Sequence, residues 1–144
     1  MAHVTFASGA VASIVNSVLS PREESYLRFD FEHATVEVTH LYGYADDDWR
    51  VTPAEGHEYV LGAWDAAGPG KAARSDHAGQ FREVLTALGA RARPPVAPAE
   101  ARRTMSLAAA IYASAFTGRP VTPGDLVPGT PFHDAMNGGS PSKP

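Results

Sequence analysis

Two adjacent segments alternate strictly between apolar and polar residues, and this alternation limits the possible folds more than any other feature of the chain. Residues 26–31 place Leu27, Phe29 and Phe31 on one side, and residues 34–39 alternate in the same way. Because successive side chains of a strand point to opposite faces, each segment predicts a β-strand with one face on a core. The two-residue break between them predicts a hairpin.

Strand and turn signals predict a further hairpin near the start of the chain and a long loop after residue 41. Residues 4–7 and 10–19 predict an earlier hairpin, whose second strand carries apolar residues on both sides and is expected to be buried. Residues 42–74 have weak periodicity and many glycines and prolines, so we predict a loop there with one short strand at residues 49–52. Up to four antiparallel strands therefore precede this loop.

Two helices are predicted in the second half of the chain. Ser75 or Asp76 can cap the first, and Gly89 ends it; Pro98 suits the first turn of the second, and Gly118 suits its C-terminal cap. The first helix is expected to pack inward through residues at helical spacing, namely Phe81, Val84, Leu85 and Leu88.

Strands followed by helices, without βαβ alternation, predict an α+β fold with a mainly antiparallel sheet and helices packed on one face. The other face, which would carry Tyr26, is expected to be available for oligomerisation. We assign residues 1–136 to this domain and expect residues 137–144 to form a disordered tail.

Composition excludes several classes of function. With 144 residues and a net charge of -4, the chain has no basic excess to neutralise phosphates, so we expect neither nucleic acid nor membrane as a partner. The absence of cysteine removes disulfides and thiolate chemistry. No signal peptide or membrane-spanning stretch is recognisable, and we expect a cytoplasmic protein.

The sequence predicts no metal site and no cofactor site. Six histidines are present, but none of their spacings matches a metal-binding motif. Residues 68–73 nominally fit the G-x-G-x-x-A dinucleotide fingerprint, yet Pro69 lies in the turn and no convincing strand precedes it.

A pocket for a polyol or an acid is one interpretation of several sheet residues. Aromatic side chains beside one fixed cation suit such ligands, and the same residues could equally form a subunit interface. His77, which follows a glycine-rich loop at a helix start, is a further candidate for substrate contact, with a structural hydrogen bond as the alternative. The predicted substrate-binding residues are Arg28, His40, Tyr42, Trp49 and His77, with Tyr26 beside them.

Three segments, in order, resemble one known family. Residues 99–121 contain Ala-Ile-Tyr-Ala-Ser followed by Gly-Arg-Pro-Val, and residues 76–81 and 6–10 match upstream. These segments are similar to the C-terminal, substrate-side domain of Gfo/Idh/MocA-type oxidoreductases, over most of the chain from Val4 to about Met136.

The resemblance implies a whole enzyme in which an NAD- or NADP-binding Rossmann domain precedes this one and a hydride passes between nicotinamide and a sugar or polyol. The family's glycine fingerprint and catalytic lysine precede the region matched here, so no catalytic role transfers to any residue of this sequence. By resemblance, this chain would bind substrate and oligomerise, at least as a dimer through its sheet face. It would not be a dehydrogenase on its own, and a separate Rossmann-domain protein is a further expected partner.

Two alternatives stay open at this point. One is a stand-alone, cofactor-independent isomerase, lyase or cyclase that reuses the substrate pocket, with His77, His40 or Asp30 as acid or base. The other is a truncated piece of a longer oxidoreductase with no independent role.

Overall fold

The computed structural model describes residues 1–40, 43–67 and 76–139. The described residues form an α+β fold with two antiparallel sheets, which confirms the predicted class. In chain order the elements are β1 Ala2–Thr5, β2 Val11–Ile14, β3 Tyr26–Asp30, β4 Ala34–Thr39, a 3₁₀ turn Asp46–Asp48, β5 Trp49–Pro53, α1 Tyr59–Ala67, α2 His77–Gly89, α3 Pro98–Thr117, a 3₁₀ turn Pro123–Asp125 and α4 Pro131–Asp134.

The chain divides into two compact units. One contains Met1–Asn16 and Arg93–Pro144, with the β1–β2 hairpin and the helices α3 and α4. The other contains Ser17–Ala92, with the three-stranded sheet β3-β4-β5 and the helices α1 and α2. The range expected to form one domain, residues 1–136, includes residues of both units.

The three-stranded sheet is built around β4, which pairs antiparallel with β3 on one side and β5 on the other. Leu27 lies opposite Val38, which lies opposite Trp49, so these side chains share one face. Val38 is 1% exposed and Ala34 is also buried. We call this the apolar face; its residues are Leu27, Phe29, Ala34, Val36, Val38, Trp49, Val51 and Pro53.

Helix α1 packs beside β5 and was not predicted. The sequence predicted a loop over residues 42–74 with one short strand; β5 confirms the strand, but the loop is wrong over Tyr59–Ala67. The rings of Trp49 and Trp64 lie 5.6 Å apart, so α1 covers the β5 side of the apolar face. A nine-residue helix is marginal by itself, and this tertiary contact stabilises it.

The first hairpin is shorter than predicted. β1 pairs antiparallel with β2 from Ala2 opposite Ile14 to Thr5 opposite Val11, as the strand and turn signals indicated. The expected buried strand over residues 10–19 ends at Ile14, because the residues beyond it pair with no described strand. The apolar side chains predicted to be buried there are exposed, namely Val11, Val15, Val18 and Leu19.

Helix α2 begins and ends as predicted, but its apolar residues do not pack inward. The Asp76 carboxylate accepts the Gly79 backbone N–H at 2.6 Å, so the N-terminal cap is Asp76, one of the two residues predicted for it. No α2 residue is buried, and Phe81, Leu85 and Leu88 are each more than half exposed. These apolar residues lie on one side of α2 because of their helical spacing, but none of the described residues covers them.

Helix α3 also confirms its predicted ends. Gly118 has φ of 66° and donates its N–H to the Ser114 carbonyl at 2.9 Å, the left-handed cap that glycine adopts without strain. At the other end, Glu100 accepts the Ala97 N–H at 2.9 Å and forms an ion pair with Arg93. Helix burial is centred on Ala113, which is 2% exposed.

The expected disordered tail lies partly outside the described residues. Residues 140–144 are among those the structure does not describe. The preceding residues form a hydrogen-bonded turn, in which Gly138 donates its N–H to the Ala135 carbonyl at 2.9 Å. The disorder expected over residues 137–144 stays a prediction.

None of the helices in the described ranges combines the length and the apolar composition needed to cross a bilayer.

We expect glycine-to-alanine substitution to have opposite effects on the free energy of unfolding at the C-terminal cap of α3 and inside α1. Gly118→Ala adds a Cβ in the left-handed region and should lower the free energy of unfolding by about 1 kcal/mol. Gly62→Ala, inside α1 with open space around the added Cβ, should raise it by roughly 0.5–1 kcal/mol. Urea unfolding followed by circular dichroism checks both, and equal effects of the two substitutions would contradict the assigned backbone conformations.

Candidate functional site

The face of the sheet opposite α1 is polar and hydrogen-bonded within itself. The Arg28 guanidinium lies beside the Asp30 carboxylate, with Nε 3.0 Å from both oxygens and Nη2 2.9 Å from Oδ1. Thr35 on β4 donates its hydroxyl to Asp30 Oδ1 at 2.7 Å. Arg28, followed by the Thr35 hydroxyl, holds the pKa of Asp30 below its ordinary value. We call this the polar face; its residues are Tyr26, Arg28, Asp30, Thr35, Glu37, Thr39, Arg50 and Thr52.

Tyr26 belongs to the same network. Its hydroxyl donates to Glu37 Oε1 at 2.6 Å across β3 and β4. This hydrogen bond raises the pKa of Tyr26 above its ordinary value, because ionisation would place a phenolate beside the carboxylate. Tyr26 therefore lies on a polar surface on which Tyr26, Arg28 and Asp30 each have a partner within the chain.

The predicted substrate-binding residues Arg28 and Trp49 do not meet. Arg28 lies opposite Glu37, whereas Trp49 lies opposite Val38, so they point to opposite faces of the sheet. Trp49 contacts the rings of Trp64 at 5.6 Å and Tyr44 at 5.7 Å. Its role is in the packing of α1 on β5.

The other predicted substrate-binding residues are not gathered into one pocket within the described ranges. His40 follows β4 with φ of 55°, and its backbone N–H donates to the Ser25 carbonyl at 3.1 Å. His77 is the first residue of α2 and is exposed. Tyr42 and the fingerprint-like residues 68–73 lie outside the described residues.

The catalytic alternative gains no support from these groups. Asp30 is held ionised by Arg28, and its lowered pKa makes it a weaker base than an ordinary aspartate. His40 and His77 are both exposed, and no acid–base partner accompanies their rings in the residues that the structure describes.

A cluster of His33, His57 and Tyr59 was missed by the sequence analysis. The Tyr59 hydroxyl is 2.8 Å from His33 Nδ1, and the two imidazole rings stack with centroids 4.1 Å apart. His57 Nδ1 is 3.0 Å from the Glu55 carbonyl, which fixes Nδ1 as the protonated nitrogen. The cluster joins the turn between β3 and β4 to the start of α1. Its members are up to 26 residues apart in sequence, so no local spacing indicates it.

Strand β3 forms one edge of the sheet, and we call its unpaired side the β3 edge. Phe31 donates its N–H to Ala34, and Ser25 accepts the N–H of His40, so the odd-numbered residues direct their backbone groups toward β4. The backbone groups of Tyr26, Arg28 and Asp30 therefore point away from the sheet. Within the described ranges no strand pairs with them.

The apolar residues beside this edge are also uncovered. Leu27 is 42% exposed, Phe29 45% and Phe31 65%, whereas Val38 on the neighbouring strand is 1% exposed. Helix α1 covers the β5 side of the apolar face and leaves the β3 side open. An edge strand with free backbone groups and exposed large apolar side chains is a template for pairing with another strand.

Comparisons with protein-family models, with curated proteins and with solved structures found no match to this chain.

We predict that the ion pair of the polar face controls the titration of Asp30. Arg28→Gln should raise the pKa of Asp30 toward the ordinary value of about 3.9, because the main group that stabilises the carboxylate is removed. Since the folded-state pKa is lowered, the stabilising contribution is present above the ordinary value and is lost as the pH falls through the folded-state pKa. Carbon-detected NMR titration of the side-chain carboxyl group measures the change.

The matched control is Arg50→Gln. This variant also removes an arginine from the polar face, but the arginine lies on β5 instead of β3. It should leave the Asp30 titration nearly unchanged. An Asp30 pKa that does not move in the Arg28 variant would contradict the assigned ion pair.

Proposed function

We propose that this chain is an oligomerisation module whose β3 edge pairs with the β3 edge of a second copy. This refines the oligomerising, substrate-side role that the resemblance to Gfo/Idh/MocA oxidoreductases implies. The observation that supports it is the self-complementary sequence of β3. The proposed contact is at the edge of the sheet rather than across a face, because α1 covers part of the apolar face and the backbone groups of the β3 edge pair with no strand in the described residues.

The hydrogen-bonding direction of β3 restricts the ways in which two copies can pair. Tyr26, Arg28 and Asp30 present the free backbone groups, so an antiparallel pair must place even-numbered residues opposite even-numbered residues. A two-fold axis through Phe29 meets this condition. Phe29 then lies opposite Phe29 of the partner subunit as a non-hydrogen-bonded pair, where side chains approach most closely.

In this register both faces are complementary. On the polar side, Arg28 lies opposite Asp30 of the partner subunit, and the symmetry repeats this pair. On the apolar side, Leu27 lies opposite Phe31 of the partner subunit. Opposite-charge and aromatic cross-strand pairs each stabilise a sheet by roughly 0.2–1 kcal/mol.

The neighbouring register is less favourable. A two-fold axis through Arg28 also satisfies the backbone, but it places Arg28 opposite Arg28 of the partner subunit. Like charges directly opposite each other destabilise a pair of strands. The charge sequence of β3 therefore favours the axis through Phe29.

The size of the contact indicates a reversible dimer. β3 has five residues, so the paired strands bury less than the roughly 1,200–2,000 Å² of a stable interface. The contact is isologous and closed, since each copy uses its β3 edge once. We expect the dimer fraction to rise with protein concentration.

Charge reversal tests the proposal. Arg28→Asp and Asp30→Arg each place like charges opposite each other at two positions, so each should weaken self-association by on the order of tenfold or more. An equimolar mixture of the two variants should form heterodimers, because the two carboxylates of one β3 strand then face the two guanidinium groups of the other. The pairs within each chain stay repulsive in the mixture, so recovery reports on contacts between chains. Sedimentation velocity over a concentration series measures the association.

The control is Phe81→Asp on α2, which introduces a carboxylate at an exposed position away from β3. It should leave the association unchanged. Circular dichroism checks that every variant keeps its secondary structure. A wild-type chain that is monomeric at all concentrations, or charge-reversed variants that associate like the wild type, would sink the proposal.

We propose further that this chain alone binds no dinucleotide, since no cofactor motif was recognised in its sequence. Calorimetric titration with NAD⁺, NADH, NADP⁺ and NADPH should give no heat of binding. Micromolar affinity for any of the four would overturn this part of the proposal.

A further inference from the structure

A cavity of about 380 Å³ lies beside α3 in the unit that contains the C-terminal segment. This volume falls at the lower end of the range of small-molecule sites, roughly 300–1,000 Å³. Its apolar walls come from helix α3 and from the residues around α4, namely Met105, Leu126, Phe132 and Met136.

Phe132, in the apolar wall, makes two close contacts. Its ring stacks on Phe116 with centroids 6.1 Å apart. The ring also lies so close to the backbone of Gly138 that a Cβ there would be 2.8 Å from it. Phe132 is therefore fixed by packing rather than by the four-residue helix α4 alone.

Arg102 and His133 bring polar chemistry to the same cavity. Within the described ranges the Arg102 guanidinium forms no ion pair. His133 Nδ1 is 2.6 Å from Asp134 Oδ1, and because an ionised carboxylate only accepts, Nδ1 carries the proton. Nε2 is left as the ring nitrogen available to a ligand.

We propose that this cavity binds a small monocarboxylic acid with a hydrocarbon body. Arg102 would bind the carboxylate, because its planar guanidinium forms paired hydrogen bonds with that group. Met105, Leu126 and Phe132 would contact the hydrocarbon. His133 would supply a second polar contact to the ligand.

The charge of the cavity favours a monocarboxylate over a phosphate compound. Arg102 is the arginine that lines it, and the Asp134 carboxylate also lines it. A phosphate dianion needs several N–H donors and is repelled by a nearby carboxylate. A ligand with one negative charge and an apolar body matches one guanidinium beside apolar walls.

The test uses the full chain with 3-phenylpropanoate and its uncharged amide, 3-phenylpropanamide, as probes. Amide-detected NMR titration gives both the affinity and the residues that respond. The acid should shift signals around residues 102–109 and 131–136, and the amide should bind at least about tenfold more weakly because its charge is missing.

Two variants separate the cavity from general surface charge. Arg102→Gln should weaken binding of the acid by about tenfold or more, whereas Arg103→Gln, its neighbour outside the cavity lining, should change it by less than about twofold. Ala109→Leu fills the cavity from α3 and should also abolish binding while Arg102 is intact.

The proposal is overturned if the acid does not bind at about 10 mM, if acid and amide bind equally, or if the two arginine variants behave alike. It is also overturned if the Ala109 variant binds like the wild type. These outcomes do not depend on self-association through the β3 edge, because the cavity lies in the other unit.

Discussion

The burial of β4 is the constraint on which the three-stranded sheet depends. Val38 is almost fully buried and Ala34 is buried beside it, while β3 and β5 pair with β4 on either side. Because side chains alternate between the two faces, a slip of one residue would move Val38 to the polar face and Glu37 into the apolar one. The register of the sheet, and hence the composition of both faces, follows from this one strand.

The register also decides what surface the sheet presents. On the polar face, Arg28 and Thr35 both bind the Asp30 carboxylate, so this charge is neutralised within the chain. The β3 edge differs, since its backbone groups pair with no strand in the described part of the molecule and the apolar side chains beside them are exposed. A strand in this state is costly in a monomer, and pairing with a second copy would satisfy backbone and side chains together.

The proposed site and the proposed interface rely on different physics and lie in different units. The edge of β3 depends on backbone direction and charge order along five residues. The cavity depends on Phe132, which packs against Phe116 and Gly138. Arg102 of α3 contributes to the cavity only because the C-terminal segment returns beside that helix.

The sequence by itself determined the local features: alternation located β3 and β4, Asp76 the start of α2, and Gly118 the end of α3. Pleating, capping and the left-handed glycine conformation each involve residues only a few positions apart. Only the tertiary structure decided which residues meet. Helix α1 packs against Trp49, and the apolar side chains of α2 are exposed. Arg28 and Trp49 lie on opposite faces of the sheet. The physical reason is that contacts between distant residues depend on strand register and on the packing of whole elements, which residue type and local spacing do not fix.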